Sequence, residues 1–263
     1  MNQTAQTPQT MTVQQAFQQA VEKHKAGDYD AAAKLYRLVL ANKPDLPTAW
    51  TNFGALLRAQ KKFDVALAYH RKALQLSPQL VNALSNLANV LADIGQAEEA
   101  AEIREDLLNA TPDDWGRIRD LAIAYRGCWR NQDVVDLVDA AEARLGPSEE
   151  GQLQRSLAHL MLGNYAEGFR DFEARYSGDE VALPKDSPWP RWTGEPLDGK
   201  RLLILPEQGF GDAILMARFL PQLKAMGAHV SMVVKPPLQR LFARLEGLDV
   251  MLSGASKSAS FDY

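Results

Sequence analysis

A short polar and glycine-containing segment stands at residues 207–212, reading Glu207-Gln208-Gly209-Phe210-Gly211-Asp212. It lies between an apolar run typical of a strand and a segment with helical periodicity. Glycines allow a ligand close to the backbone, and a helix N-terminus offers unpaired N–H groups. Glu207 and Gln208 are therefore candidates for substrate contact, and Gln208 is favoured because a neutral amide costs less to desolvate than a charge. The alternative is that both only satisfy backbone groups of the turn.

A nicotinamide-cofactor site is excluded by the same segment. A dinucleotide fingerprint requires a third glycine and an acidic residue at the end of the second strand. This sequence has Ala213-Ile214 after Gly211-Asp212, and its second strand ends at Val234-Lys235.

A second polar set is spread over the first half of the chain. Asn52, Asn86 and Asp120 recur at intervals of 34 residues, and Asn82 and Asn89 stand close to the middle member. A primary amide donates to and accepts from a peptide bond at once, so such a row can hold an extended peptide backbone. We treat these five as a candidate peptide groove. The alternative is a solvated polar face without a ligand.

Metal chemistry is not indicated. Four histidines are scattered without ligand spacing, and Cys128 is the single cysteine, so we expect neither a metal site nor an internal disulfide. One unpaired cysteine suits a reducing compartment, and we expect a cytoplasmic protein. The net charge of -4 and the lack of a basic run argue against nucleic acid and anionic membranes as partners. No apolar stretch has the length of a membrane span.

An internal repeat positions the second polar set. Pro44, Pro78 and Pro112 are 34 residues apart, and each ends a helix that a proline cannot continue. One pair of small residues precedes each proline, in phase: Ala20 and Ala32, Gly54 and Ala66, Ala88 and Ala100. Apolar residues between them follow a helical period, so each unit is predicted to be a hairpin of two packed helices.

The second unit resembles the tetratricopeptide repeat, whose marker positions correspond to Trp50, Gly54, Ala66, Ala73 and Pro78. The resemblance implies a right-handed helical solenoid in which the first helix of each hairpin lines a concave, peptide-binding surface. We predict about five hairpins over residues 11–176, after a disordered tail at 1–10.

The remaining sequence predicts a different architecture. Residues 177–200 carry four prolines and three glycines, which is typical of a linker. Residues 201–263 alternate between short apolar runs and helical patterns, one of them a single helix over 213–228. This order predicts a partial, parallel α/β sheet.

Residues around the linker resemble bacterial repeat-bearing glycosyltransferases related to heptosyltransferases. The matching positions are Gly168, Phe169, Phe172, Glu173, Arg175, Trp192, Gly194, Leu197, Gly199, Lys200, Leu203, Glu207, Gln208, Gly209, Gly211, Asp212 and Arg218. The resemblance implies a GT-B fold of two Rossmann-like halves, of which residues 201–263 begin the acceptor-side half. It makes Asp212 a candidate general base and 207–211 a substrate loop. The alternative for Asp212 is a helix N-cap.

The polar row itself resembles a feature of a second group of transferases. Asn52 and Asn86 resemble the asparagine ladder in protein O-linked N-acetylglucosamine transferases, from which Asp120 departs. The expected function is a protein-binding repeat module that recruits a polypeptide to an attached glycosyltransferase, or alternatively a non-enzymatic adaptor.

The sequence as given is expected to be catalytically incomplete. The donor-binding half of the resembled fold is missing, so we expect no cofactor in this chain and a nucleotide sugar only in a full-length version. The edge of the incomplete sheet is expected to favour self-association.

Overall fold

The computed structural model describes residues 11–176, 188–207, 209–254 and 260–263. The chain divides into two compact units, Met1–Glu173 and Ala174–Tyr263. Each unit has a hydrophobic core of its own.

The first unit is built from antiparallel helix pairs. Its helices are α1 (Val13–Lys25), α2 (Tyr29–Asn42), α3 (Pro47–Ala59), α4 (Phe63–Leu76), α5 (Val81–Asp93), α6 (Ala97–Ala110), α7 (Trp115–Gly127), α8 (Asn131–Leu145), α9 (Glu149–Leu162) and α10 (Tyr165–Asp171). Consecutive helices pack as hairpins, and the first helices α1, α3 and α5 also contact one another in turn. The predicted helical solenoid is confirmed.

Small residues allow the close helix contacts. Ala20, Ala32, Ala66 and Ala100 are fully buried between helices. At Gly54, a Cβ atom would lie 2.6 Å from Cε1 of a neighbouring histidine ring, so no larger residue fits without displacing that ring. Larger side chains fill the space between hairpins, and the rings of Tyr36 and Phe53 stack with centroids 5.6 Å apart. Dense packing of this kind is what stabilises a stack of short helices.

The turn inside each hairpin uses one left-handed residue at the same repeat position. These residues are Gly27 (φ 78°), Lys61 (φ 60°), Gly95 (φ 81°), Trp129 (φ 61°) and Gly163 (φ 84°). The left-handed region is steric strain for a residue with a Cβ atom. The backbone geometry therefore persists in the two hairpins that lack the glycine, at a cost in stability.

The second unit contains a small parallel sheet. Its elements are β1 (Arg201–Ile204), α11 (Phe210–Ala217), α12 (Leu220–Ala225), β2 (His229–Val233), a 3₁₀ turn (Pro236–Leu238), α13 (Gln239–Phe242) and β3 (Val250–Leu252). The strands lie in the order β1-β2-β3, with Leu202 opposite Val230 and Met232 opposite Met251. Leu197, Leu220 and Phe242 complete the core between the sheet and the helices.

The prediction of a single helix over residues 213–228 is wrong. Two helices occupy this segment, and α11 ends at Ala217 while α12 begins at Leu220. Pro221 explains the break, because a proline has no N–H and its ring clashes with the carbonyl four residues earlier, which belongs to Ala217.

The edge of β1 that faces away from β2 is also paired. The N–H of Leu203 donates to the carbonyl of Tyr263 at 2.9 Å, and the N–H of Tyr263 donates to the carbonyl of Arg201 at 3.4 Å. Tyr263 thus forms its two backbone hydrogen bonds with Arg201 and Leu203, the residues on either side of Leu202. In an antiparallel pair, both hydrogen bonds would instead join the same two opposite residues. The backbone at Tyr263 therefore runs parallel to β1, and β3 lies at the opposite edge.

Replacing Lys61 by glycine is expected to stabilise the first unit. The change relieves a left-handed residue with a Cβ atom, and Lys61 is exposed, so few contacts are lost. We expect a gain of about 0.5–1 kcal/mol in the free energy of unfolding, measured by chemical denaturation. Gly95→Ala at the equivalent turn is the matched control and is expected to lose about 1 kcal/mol. Equal stabilities for Lys61→Gly and the wild type would contradict this account of the turn.

Candidate functional site

A polar stripe runs along one face of α5. Asn82, Asn86, Asn89 and Asp93 are spaced by four, three and four residues, which places them within an arc of about 60° around the helix axis. Asn82 and Asp93 are exposed, and Asn86 and Asn89 are partly exposed. The stripe therefore faces solvent along the whole length of α5.

Helix α3 lies beside this stripe. Arg58 of α3 makes two hydrogen bonds to the carboxylate of Asp93, Nε to Oδ2 at 2.6 Å and Nη2 to Oδ1 at 3.2 Å. Asn52, also in α3, is partly exposed. The bidentate pair joins the first helices of two successive hairpins, since planar guanidinium and carboxylate groups match in geometry.

A buried histidine is linked to Asn86 through the hydroxyl of Thr51. Nδ1 of His70 lies 3.0 Å from Oγ1 of Thr51, and Nδ2 of Asn86 donates to the same oxygen at 3.4 Å. His70 is fully buried, and its Nε2 has no hydrogen-bond partner. Burial and the nearby charge of Arg58 lower the pKa of His70 to about 4. The ring is therefore neutral at physiological pH.

A buried arginine supports Asn89. Nη2 of Arg104 donates to Oδ1 of Asn89 at 2.7 Å, and Nη1 donates to the backbone carbonyl of Asp120 at 2.5 Å. Burial lowers the pKa of Arg104, an effect that the charge of Asp120 opposes. Arg104 belongs to α6 and thus links the first helices α5 and α7 from behind.

The carboxylate of Asp120 pairs within the same surface. Nη2 of Arg119 lies 3.1 Å from Oδ1 of Asp120, and Nη1 of Arg119 lies 3.3 Å from Oε1 of Glu150 in α9. Arg119 and Asp120 are partly exposed and Glu150 is exposed, so the pairs contribute little stability each. The contact with Arg119 nevertheless orients the Asp120 carboxylate.

The five predicted groove residues thus fall into two groups. Asn52 and Asn82 make no side-chain hydrogen bond to the part of the chain that the structure describes. Asn86, Asn89 and Asp120 are each held by a neighbouring side chain. Their role in binding a peptide stays a prediction.

The two supporting residues were missed by sequence reasoning. Tyr36, His70, Arg104 and Val138 recur at 34-residue intervals, and all are buried. Two polar side chains at a core position of the repeat were the available signal. Buried polar groups require hydrogen-bond partners, and those partners lie on the stripe side of the first helices.

The loop after β1 has its own hydrogen bonds. Oδ2 of Asp212 accepts from the backbone N–H of Gly209 at 3.1 Å, in the first turn of α11. Gly209 has an extended backbone with φ of -73°, and a Cβ atom at Gly211 would meet nothing within 4 Å. Gly209 is therefore the N-cap of α11, not Asp212, which stands at the third helical position and bonds back to the N-cap backbone, and the space beside Gly211 is open.

Glu207 is held by an arginine. Its Oε1 and Oε2 accept from Nε of Arg175 at 2.5 Å and from Nη2 at 3.1 Å, and the hydroxyl of Tyr176 donates to Oε2 at 3.2 Å. Burial acts to raise the pKa of Glu207, but the hydrogen bond and charge of Arg175 outweigh it, so the net pKa is lowered.. Glu207 is thus an ionised, paired carboxylate. Gln208, the other candidate contact, lies outside the described residues.

A cavity of about 350 Å³ opens beside β1 in the second unit. Its described lining is apolar and aromatic with two charged residues: Tyr176, Trp189, Pro190, Arg191, Trp192, Leu202, Leu203, Ile204, Leu205, Pro206, Glu207, Leu223 and Tyr263. Nε1 of Trp192 is bonded to the carbonyl of Glu195 at 2.8 Å, which fixes that wall. Its size and aromatic lining are those of a small-molecule site.

Within residues 11–176, 188–207, 209–254 and 260–263, no group of three or more His, Cys, Asp or Glu side chains is placed to hold a metal ion. Among the same residues, no helix is long and apolar enough to span a membrane.

Comparison with known proteins identifies the helical unit. Residues 57–122 match the tetratricopeptide repeat family. The chain also superimposes on MamA from Desulfovibrio magneticus RS-1, with a TM-score of 0.56 and 19% identity over 65% of this chain and 99% of that one. A tetratricopeptide repeat protein from Parabacteroides merdae gives a TM-score of 0.56 and 21% identity over 63% and 66%. Residues 57–122 thus match tetratricopeptide repeats, and the helical unit has the fold of a solenoid of such repeats.

Two curated proteins are similar in sequence. Protein FlbA of Caulobacter vibrioides is 29% identical over 222 residues, covering 82% of this chain and 37% of FlbA. The peroxisomal targeting signal receptor of Eremothecium gossypii is 36% identical over 75 residues, or 28% of this chain and 13% of the receptor. This chain therefore spans well under half the length of both relatives. An attached glycosyltransferase is not shown by these similarities.

The buried neutral His70 predicts a pH dependence of stability. Its pKa in the folded protein, about 4, lies below the ordinary value of 6.5, so the unfolded chain takes up the proton more readily. Stability is therefore lost as pH falls from about 6.5 towards 4. Between pH 7 and pH 5 we expect His70 to contribute a loss of about 2 kcal/mol in the free energy of unfolding.

Denaturation of the wild type and His70→Phe at both pH values measures this contribution. Phenylalanine retains an aromatic ring at a position that Tyr36 occupies in the preceding repeat. The pH-induced loss should be about 2 kcal/mol smaller in His70→Phe. The same loss in both proteins would show that His70 does not carry the effect.

Proposed function

We propose that the helical unit binds an extended polypeptide along the surface formed by α3, α5 and α7. The observation that carries the proposal is the stripe Asn82, Asn86 and Asn89 on the solvent-facing side of α5. Amide side chains in a row bind main-chain N–H and C=O groups independently of the peptide's sequence. Internal contacts hold Asn86 and Asn89 in place, which reduces the entropy lost on binding.

Similarity to the peroxisomal targeting signal receptor supports a peptide ligand. The name of that protein describes a receptor for a targeting signal. Its matching region is short, so the similarity supports the class of ligand without identifying the sequence bound here.

Asn52→Ala combined with Asn82→Ala tests the groove. Neither side chain has an internal partner among the described residues, so the fold is expected to remain intact. A peptide selected from a display library against the full chain is expected to bind the double variant about 10-fold more weakly by calorimetry, because two hydrogen bonds are lost. Asn109→Ala, an exposed asparagine of α6, is the matched control. Unchanged affinity in the double variant would refute the groove.

For the second unit, we propose the acceptor-side half of a nucleotide-sugar-dependent glycosyltransferase with a GT-B fold. The strand order supports this proposal, because Tyr263 pairs with one side of β1 while β2 and β3 follow on the other side. Ligands of open parallel sheets bind beyond the carboxyl ends of the strands where the order reverses. The cavity borders that end of β1 through Leu205, Pro206 and Glu207. The proposal assigns the nucleotide sugar to a second half of the enzyme.

Asp212 is the proposed general base for the attacking hydroxyl. Its contact with the N–H of Gly209 positions one carboxylate oxygen and leaves the other, Oδ1, without a hydrogen bond in the described part of the chain. Oδ1 is thus available to accept a proton from an acceptor substrate.

Asp212→Asn separates chemistry from structure. Asparagine at this third helical position can still accept the N–H of the N-cap residue Gly209 through its side-chain oxygen, but it cannot accept the proton. In a version of the chain extended by the donor-binding half, sugar transfer is expected to fall about 10²–10⁴-fold at unchanged melting temperature. Asp212→Ala, which loses both roles, is the companion variant and should also be less stable. Full transfer activity in Asp212→Asn would exclude the general-base role.

A non-enzymatic adaptor is the second candidate. The observation that favours it is that Asp212 and Glu207 both serve structural contacts, one with Gly209 and one with Arg175. In an adaptor, partner binding depends on the groove and Asp212→Asn has no effect on any activity. Self-association through the edge of β3 stays a prediction that sedimentation of the purified chain can test.

A further inference from the structure

Arg104 occupies an unusual place for a charged side chain. It lies in α6 at the core position that Tyr36 and His70 fill in the preceding repeats, and only 9% of its surface is exposed. Among the described residues, no carboxylate lies within ion-pair distance of its guanidinium group. Its two hydrogen bonds go to neutral oxygens, those of the Asn89 amide and the Asp120 backbone. A buried charge held in this way requires a reason beyond stability.

The contact determines how the Asn89 amide is oriented. A guanidinium group has donors and no acceptor, so Asn89 must turn Oδ1 towards Arg104 and its NH₂ group the opposite way. Nδ2 of Asn89 has no partner among the described residues and is not among their buried unpaired atoms. Asn89 therefore presents a donor alone to solvent, whereas a free asparagine presents either end.

The oriented donor belongs to a single repeat. The residues 34 positions before and after Asn89 are Ala55 and Ile123, and neither has a polar side chain. The row of Asn52, Asn86 and Asp120, in contrast, extends over three repeats. Asn89 is therefore suited to fix the position of a peptide along the groove.

We propose that Asn89, oriented by Arg104, is a specific site for a backbone carbonyl oxygen of the bound polypeptide. Arg104 is a positioning residue that does not itself touch the ligand. A carbonyl suits the site better than a carboxylate, because the guanidinium groups of Arg58 and Arg119 on the same surface already pair with Asp93 and Asp120 and so contribute little net positive charge to attract a charged ligand. This inference rests on the proposed function of the groove and adds the position at which the peptide is fixed along it.

Asn89→Asp is the decisive variant. Aspartate keeps an acceptor oxygen for Arg104, with a favourable charge, and replaces the outward NH₂ group by an oxygen. We expect the full chain to retain or raise its melting temperature, while the display-selected peptide binds at least about 10-fold more weakly by calorimetry. Asn109→Asp adds the same charge on α6 and should bind like the wild type. Wild-type affinity in Asn89→Asp would overturn the proposal.

Arg104→Met tests the positioning role. Methionine fills the space without fixing Asn89, so affinity should fall about 3–10-fold in a folded protein with unchanged circular dichroism. Combined with Asn89→Ala, it should cause no further loss, since Arg104 acts through Asn89. Additive losses in the double variant would contradict the positioning role.

Amide-to-ester replacement along the peptide identifies the group bound. An ester carbonyl is a weaker acceptor, so one ester position should weaken binding to the wild type and have no effect on Asn89→Ala. A different outcome is that amidation of an acidic side chain of the peptide, and no ester replacement, removes the difference in affinity between the wild type and Asn89→Ala. In that case the site binds a carboxylate and the carbonyl assignment is wrong. If Asn52→Ala with Asn82→Ala weakens binding while Asn89→Asp does not, the groove stands and the oriented site fails. If neither weakens it, the proposed function itself fails.

Discussion

The close approach of two helices at a pair of small residues is the constraint on which the first unit depends. Ala66 is fully buried in the second hairpin, and Gly54 leaves no space for a Cβ atom beside the ring of His70. Because this contact recurs every 34 residues, each hairpin has the same geometry, and residues at equivalent positions meet equivalent surroundings. The left-handed turn at Lys61 and Trp129 illustrates its strength, since packing imposes a backbone conformation that those side chains disfavour.

The regular repeat geometry also places buried core residues in contact with residues of the groove surface. A buried position of the second helix in each hairpin lies behind the first helices of its own hairpin and the next. When that position carries Arg104, its polar end reaches Asn89 on one first helix and the backbone of Asp120 on another. When it carries His70, the contact passes through Thr51 to Asn86. Polar core residues thereby determine which donors and acceptors the groove presents.

The repeat was predictable because its markers are local and periodic. Pro44, Pro78 and Pro112 gave the unit length, and the structure has helices where that period predicts them. The support of Asn89 by Arg104 was not predicted, because a charged residue at a core position is identified only when the repeats are aligned position by position. In the second unit, the strands followed from apolar runs, but the helix break at Pro221 was overlooked. The capping contact of Asp212 depends on loop geometry that residue types alone do not specify.

The central claim is that the asparagine stripe of α5 binds a polypeptide main chain. Side-chain amide signals report this directly in a ¹⁵N-edited NMR titration of the full chain with the display-selected peptide. The account predicts that the side-chain NH₂ resonances of Asn82 and Asn89 shift on binding, while that of Asn109 on α6 does not. Shifts at Asn109 with unchanged Asn82 and Asn89 signals would place the ligand on the opposite helices and contradict the account.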